Sequence, residues 1–368
     1  RVPTLAAQLA DGPVLIVADA ILAELGTTDR LTSAMTAKDV PFELAATVSG
    51  EPKEALVDEL CAQAREMNAA VIVGMGGGAA MDAAKLAAAI ARSGQPAESF
   101  ALAARPMPSD GIPSIAIPTT AGTGSEVTRT SVISKADGLK TWFWGEELMF
   151  DQAVLDPELT LSLPSHITAW TGVDAVAHAL EGATSRNTSA AGQLYGLDAL
   201  RTLSEALPKA VEDGSDIEAR GRVLWASLVA GLALHNCNTH MGHNISHALG
   251  SLARVHHGLA TGLGLEASLP WLTARPEGAE NYAKASVAMG GAADAEALPG
   301  ALSSLMRACG IAPELPVECT GVSPEALAKE MKNEANIGMA QNSACPVTEA
   351  DIDEMASLMM QTPIAKAA

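Results

Sequence analysis

The sequence predicts a parallel, Rossmann-like α/β domain over residues 1–156 followed by an all-α domain over residues 157–368. Three observations predict it. From Pro13 to about Asp156, short aliphatic runs alternate with amphipathic stretches of helical length. At Asp156-Pro157 the strand-like runs stop. Beyond that point long Ala/Leu-rich segments follow one another with helical patterning. A chain of 368 residues also fits two domains of roughly 150 residues, each large enough to bury a core.

Taken in order, residues 14–17, 70–73 and 114–117 read as buried strands. Their apolarity is continuous rather than alternating, as expected where helices cover both faces of a sheet, and the intervening helices supply right-handed crossovers. In the second half, residues 190–206, 217–234 and 278–289 read as helices. Thr348 and Asp351 form a capping box for a last helix that stops near Met360. There is no internal repeat and no low-complexity tract.

Composition excludes several classes of function. With 43 acidic against 23 basic residues, the net charge of −20 repels a phosphate backbone, so no nucleic-acid partner is expected. The longest glycine-and-apolar run, residues 69–81, is short of the ~20 residues needed to cross a bilayer, so no membrane association is expected. Five scattered cysteines with no CxxC pair suit a reducing cytoplasm. The chain starts at Arg1 without a methionine, so the natural N-terminus is expected upstream.

Two stretches of the first half carry candidate chemistry. Val71-Ile72-Val73-Gly74-Met75-Gly76-Gly77-Gly78 runs from a strand into glycines and then into a helix-forming segment. Such a turn lets backbone N–H groups approach a phosphate at the positive end of a helix, although a plain strand-to-helix turn reads the same way. The acidic residue that usually follows a dinucleotide loop is missing, and Asp19, at the end of the first strand, is the best substitute. On the residues alone Asp19 is an ordinary strand-end or helix-cap residue. A carboxylate there could also accept ribose hydroxyls and repel a 2′-phosphate. After the strand ending at Ile117 comes Thr119-Thr120-Ala121-Gly122-Thr123-Gly124, polar enough either for a phosphate-lined crevice or for a plain loop.

The second half concentrates histidine. Six of the eight histidines lie between His235 and His257. Asp174 and His178 are four apart, as are His243 and His247, so each pair shares a helix face. Taken alone, the Asp–His pair reads as an ion pair. An Asp with three histidines drawn from these pairs and His257 makes a mixed N/O set suited to Fe2+ or Zn2+ and poorly suited to magnesium or calcium. His166, His235 and His240 read as capping or packing residues, and His256 as exposed.

These segments in this order resemble the iron-containing (group III) alcohol dehydrogenases. The motifs that carry the resemblance include Gly76-Gly77-Gly78-Ala79 through Asp82 to Lys85, and Pro118 through Thr128. They continue with Asp174-Ala-Val-Ala-His178-Ala-Leu-Glu181, Gly242-His243 through His247 to Gly250, and His257-Gly258. The resemblance spans nearly the whole chain. It implies metal ligation by Asp174, His178, His243 and His257, with His247 between metal and nicotinamide as a catalytic proton relay. It implies a pyrophosphate loop at Gly76, Gly77 and Gly78 with Asp82 in the following helix. It further implies cofactor contacts from Thr119, Thr120 and Thr123, a ribose-side lysine at Lys140, and an NAD-over-NADP determinant at Asp19. The implied activity is hydride transfer between NAD(H) and a primary alcohol, diol or hydroxy acid, with Fe2+ (or Zn2+), in a cytoplasmic homodimer. Ala79 replaces the family's serine and removes one side-chain donor to the pyrophosphate. The family's short first strand would fall before Arg1. Three rivals stay open: a metal-independent maleylacetate-reductase-like enzyme, a dehydroquinate-synthase-like lyase, and a non-catalytic binding protein.

Overall fold

A computed structural model describes residues 1–135, 137–138 and 140–365. Two compact units partition them, Arg1–Thr120 with Ser125–Thr160, and Ala121–Gly124 with Leu161–Ala368.

The first unit contains α1 (Val2–Leu9), β1 (Val14–Asp19), α2 (Ala20–Glu24), α3 (Asp29–Thr36), β2 (Phe42–Val48), α4 (Glu54–Glu66), β3 (Val71–Gly76) and α5 (Gly78–Ile90). It continues through β4 (Ser114–Pro118), β5 (Thr130–Ser134), β6 (Lys140–Trp144) and β7 (Gln152–Ala153). Five strands form a sheet in the order β2-β1-β3-β4-β7, with every pairing parallel. β5 and β6 pair antiparallel in a separate hairpin.

Alternate residues of the central strands enter two different cores, which is why the strands are apolar throughout. Leu15, Val17, Ile72 and Ala116 pack with α4 and α5, while Val14, Ile16, Val71, Val73, Ile115 and Ile117 pack with residues of α1 and α3. The chain runs from β1 out to β2 on one side and then returns past β1 to β3 on the other, so the strand order reverses between β1 and β3 and their carboxyl ends flank the crevice where open parallel sheets bind ligands.

The sequence reading does not find β2, β7 or the β5–β6 hairpin. β2 is an edge strand in which only Ala45 and Val48 are buried, so it lacks the aliphatic run that marks its neighbours.

The second unit is helical: α6 (Ser165–Thr184), α7 (Ala190–Glu212), α8 (Ile217–Cys237), α9 (Met241–Ala253), α10 (His257–Thr273), α11 (Ala279–Ala288), α12 (Leu298–Ala308), α13 (Pro324–Met331), α14 (Ile337–Gln341) and α15 (Glu349–Met360). An isolated bridge between Leu315 and Ile364 is its one extended pairing among the described residues. Thr348 and Asp351 make the expected capping box on α15. α6 is buried on nearly every face and packs against α7, α8 and α10, so a polar group on it must find a partner inside the protein. All five cysteines are free and buried. No helix among the described residues is long and apolar enough to cross a membrane.

Candidate metal centre and nucleotide turn

Three helices of the second unit bring their polar residues to one point. Asp174 and His178 lie one turn apart on α6, His243 is the third residue of α9, and His257 is the first residue of α10. One donor atom each from Asp174, His178 and His243 lie within 4.8 Å of one another. Oδ1 of Asp174 is 3.7 Å from Nε2 of His243 and 3.5 Å from Nε2 of His257. Donors about 2.1 Å from one tetrahedral ion stand about 3.4 Å apart, so this spacing is that of a ligand set. The His178 and His243 rings stack with centroids 4.6 Å apart.

The far side of each ring is tied down. Nδ1 of His178 lies 3.2 Å from the carbonyl oxygen of Gly122, and Nδ1 of His243 lies 2.6 Å from Oε2 of Glu181. Both partners can only accept, so both Nδ1 atoms carry the proton, which leaves Nε2 as the lone-pair nitrogen of each neutral ring. Nδ1 of His257 is 3.0 Å from the hydroxyl of Ser246. Oδ1 of Asp174 and Nε2 of His243 are buried and make no hydrogen bond. Two such atoms side by side are costly unless a cation satisfies both, and a divalent ion fits these residues.

Electrostatics agree with the geometry at Glu181 and His178. Burial alone would raise the Glu181 pKa, but the His243 ring and the N–H groups donated to the carboxylate outweigh it and lower the value. Burial pushes the His178 pKa down, towards the neutral ring that a metal ligand needs. For His243 burial works in the same direction, but Glu181 and Asp174 overcome it and raise the value.

Glycines set the spacing between these helices. A Cβ at Gly258, beside His257, would run into the carbonyl oxygen of Trp170 and stand 3.1 Å from Cβ of Asp174. A Cβ at Gly242 would sit 2.7 Å from the Leu265 side chain and 2.9 Å from Oε1 of Glu181.

His247 follows His243 by one turn of α9 and is half-buried, its ring 5.3 Å from that of His257. His240 caps α9, accepting the N–H of Met241 on Nδ1. His166 packs edge-on against Trp170. His256 is exposed and also contacts Trp170.

In the first unit, Asp19 ends β1 beside the glycine turn at the end of β3. Its Oδ2 accepts the N–H of Gly77 at 2.8 Å. Burial raises the Asp19 pKa, and that hydrogen bond opposes the rise. Gly76 has φ of +152°, and a Cβ there would collide with the Asp19 carboxylate, so glycine is required. Gly77 is the N-cap of α5 and brings no capping side chain, so apart from the Gly77 N–H held by Asp19 the first backbone donors of the helix remain for an anion. The N–H of Thr119 donates to the Gly76 carbonyl, and the Thr120 hydroxyl lies beside Gly77.

The remaining residues expected near the cofactor are engaged differently. Thr123 belongs to the Ala121–Gly124 segment of the helical unit. Lys140 pairs with Glu51 at 2.6 Å. The Asp82 carboxylate accepts Ser125 Oγ–H at 2.5 Å and the N–H of Val132 at 2.8 Å. Three carbonyl oxygens, of Ser125, Thr128 and Thr130, take up the fully buried Lys85 ammonium at 2.7–3.1 Å, with Asp82 3.6 Å away.

Residues 1–157 match the family model described as iron-containing alcohol dehydrogenase, and residues 168–360 match that of the family's C-terminal part. The chain belongs to the iron-containing alcohol dehydrogenase family. Within that family it is 37% identical to Long-chain-alcohol dehydrogenase 1 of Geobacillus thermodenitrificans over 67% of this chain, a segment that is 62% of the relative's length. It is 35% identical to the 1-propanol dehydrogenase PduQ of Salmonella typhimurium, over 75% of this chain and 71% of that protein. The crystal structure of sulfoacetaldehyde reductase from Bifidobacterium kashiwanohense in complex with NAD+ superposes with a TM-score of 0.87 at 27% identity, covering 97% of this chain and 93% of that one.

The sequence reading gave no role to Glu181 or Ser246. A signal existed for Glu181: it follows Asp174 by seven residues and His178 by three, and so shares their helix face.

Proposed function

We propose that this chain is a metal-dependent, NAD(H)-linked alcohol dehydrogenase and aldehyde reductase acting on a small primary alcohol, diol or hydroxy acid. One observation carries the reading: donors of Asp174, His178 and His243 come together, with Nε2 of His257 3.5 Å from the same carboxylate, and the Nδ1 atoms of His178 and His243 are already committed as donors. Asp174, His178, His243 and His257 would hold the ion, which we take as Fe2+ with Zn2+ the alternative, since the donor set suits both. When bound, such an ion supplies positive charge that lowers the pKa of a nearby hydroxyl and polarises a carbonyl, while bound nicotinamide accepts or returns the hydride.

The chain's own residues do the rest. Asp174 offsets one unit of the ion's charge. His247, half-buried and one turn from His243, takes the proton released by the substrate hydroxyl and passes it to solvent. In residues 1–156, which we assign to the dinucleotide, the turn Gly76, Gly77 and Gly78 binds the pyrophosphate through the backbone N–H groups at the start of α5 that Asp19 does not occupy, helped by Thr119, Thr120 and Thr123. Asp19 accepts ribose hydroxyls and repels a 2′-phosphate, favouring NAD over NADP. Asp82 acts by fixing Ser125 and Val132, and Lys140 lies on the ribose side. Residues 157–368 form the metal-binding and catalytic domain. We take a homodimer as the expected assembly, and the five free cysteines support a cytoplasmic setting.

The test is elemental analysis of anaerobically purified protein combined with an NADH-linked assay over a panel of alcohols and aldehydes. Iron or zinc near one per chain, with chelator-sensitive turnover, is expected. Chelator-insensitive turnover would favour the maleylacetate-reductase-like alternative, and turnover without net NADH the lyase. Binding of both ligands with no turnover would leave a non-catalytic protein.

A further inference from the structure

Glu181 stands on the same face of α6 as Asp174 and His178 and is fully buried. A carboxylate survives there only if its oxygens are fully engaged. Oε1 accepts the backbone N–H groups of Gly242 at 2.8 Å and His243 at 3.3 Å. Oε2 accepts the N–H of His240 at 2.8 Å and Nδ1–H of His243 at 2.6 Å. Gly242 and His243 are the second and third residues of α9, whose first N–H groups have no acceptor within the helix. One carboxylate on α6 therefore caps α9 and grips the ring that α9 contributes to the donor cluster.

We infer that Glu181 is a positioning residue for metal binding, which fixes His243 with its Nε2 lone pair facing Asp174 and His178 and adds a second buried negative charge for a divalent ion to neutralise. The inference rests on the metal reading proposed above. Carboxylate–histidine pairing of this kind sets the tautomer and raises the basicity of the ligating nitrogen. The charge count is also complete, since Asp174 and Glu181 together carry two negative charges. His240 does not cancel either of them. Its Nδ1 accepts the Met241 N–H at 2.8 Å and its Nε2 lies 3.1 Å from the Thr184 hydroxyl, so the ring is neutral although Nδ1 comes within 3.3 Å of Oε1 of Glu181.

The test is a cycle of variants in the full chain, with zinc affinity read by competition with a chromophoric chelator. Glu181→Gln keeps the size of the side chain but turns an amide N–H group towards N–H donors, and should weaken zinc binding about 10- to 100-fold. In a His243→Ala background the same change should cost at least about threefold less than in wild type, because the ring that Glu181 positions is gone and only its charge remains. Equal losses in both backgrounds would reduce Glu181 to a helix cap and overturn the inference, as would an E181Q chain that binds zinc as tightly as wild type. A wild-type chain that binds neither zinc nor iron would instead overturn the metal reading itself. If Glu181→Gln does not fold, the zinc-loaded wild type labelled with 15N-histidine answers the same question. A slowly exchanging proton on Nδ1 of His243 is expected, and an unprotonated Nδ1 would overturn the inference.

Discussion

Oδ2 of Asp19 accepts the backbone N–H of Gly77, joining the end of β1 to the turn that opens α5. On the proposed reading, a carboxylate held there would confront the group that a nucleotide carries at its ribose. Asp19→Gly should raise kcat/KM with NADP(H) relative to NAD(H) about tenfold or more, or ~1.4 kcal/mol, because a like-charge conflict is removed. Steady-state kinetics with both cofactors checks this. An unchanged ratio would take Asp19 out of the account of cofactor choice.

His243→Ala and His257→Ala each remove one imidazole from the donor cluster while leaving the glycine turn of the first unit untouched. Each variant should lose most of its bound metal and most of its turnover. The NADH dissociation constant, followed by fluorescence titration, should stay within about threefold of wild type. Full turnover in a metal-free variant would contradict the assignment of these residues.

The ammonium of Lys85 is completely enclosed and satisfied by three carbonyl oxygens, with Asp82 as its counter-charge. Lys85→Met should destabilise the protein by about 3–5 kcal/mol, since it strips those carbonyls of their donor and leaves Asp82 buried without its partner. Equilibrium denaturation gives the value, and a loss below about 1 kcal/mol would mean that the loop from Ser125 to Thr130 holds itself.

Burial pushes the Glu126 carboxyl up from an ordinary 4.5 to about 7, against the pull of Lys85. The folded chain therefore holds this proton more tightly than the unfolded chain does. The associated stability is fully present below about pH 4.5 and is lost as the pH rises through about 7. Glu126→Gln should flatten that decline, so that the variant gains on wild type between about pH 5 and about pH 8 in denaturant midpoint. A difference between the two proteins that does not change with pH would refute the placement of this titration.

How much of this was legible in the sequence depended on whether the signal was local. The strands around residues 14–17, 70–73 and 114–117 announce themselves because both faces are covered. β2 does not, because its edge position leaves Glu43 and Thr47 exposed. The donors on α6 and α9 follow from a spacing of four along a helix. The carbonyl of Gly122 cannot be read in that way, since it reaches His178 from 56 residues earlier in the chain. Lys85 offered a weak local hint as the one charged residue in an otherwise Ala-rich stretch after Asp82, but its three acceptors come from a segment some 40 residues on.

The near-contact of Gly258 with the Trp170 carbonyl bears on how this centre tolerates change. A methyl group at that position would wedge the start of α10 away from α6 and carry His257 off with it. Random mutagenesis scored for iron or zinc retention should therefore return hits at codons for residues that own no donor atom, Gly258 and Gly242 first among them. Transplanting the four ligands into another helical scaffold without those two spacers would reproduce the chemistry of the donors but not their reach.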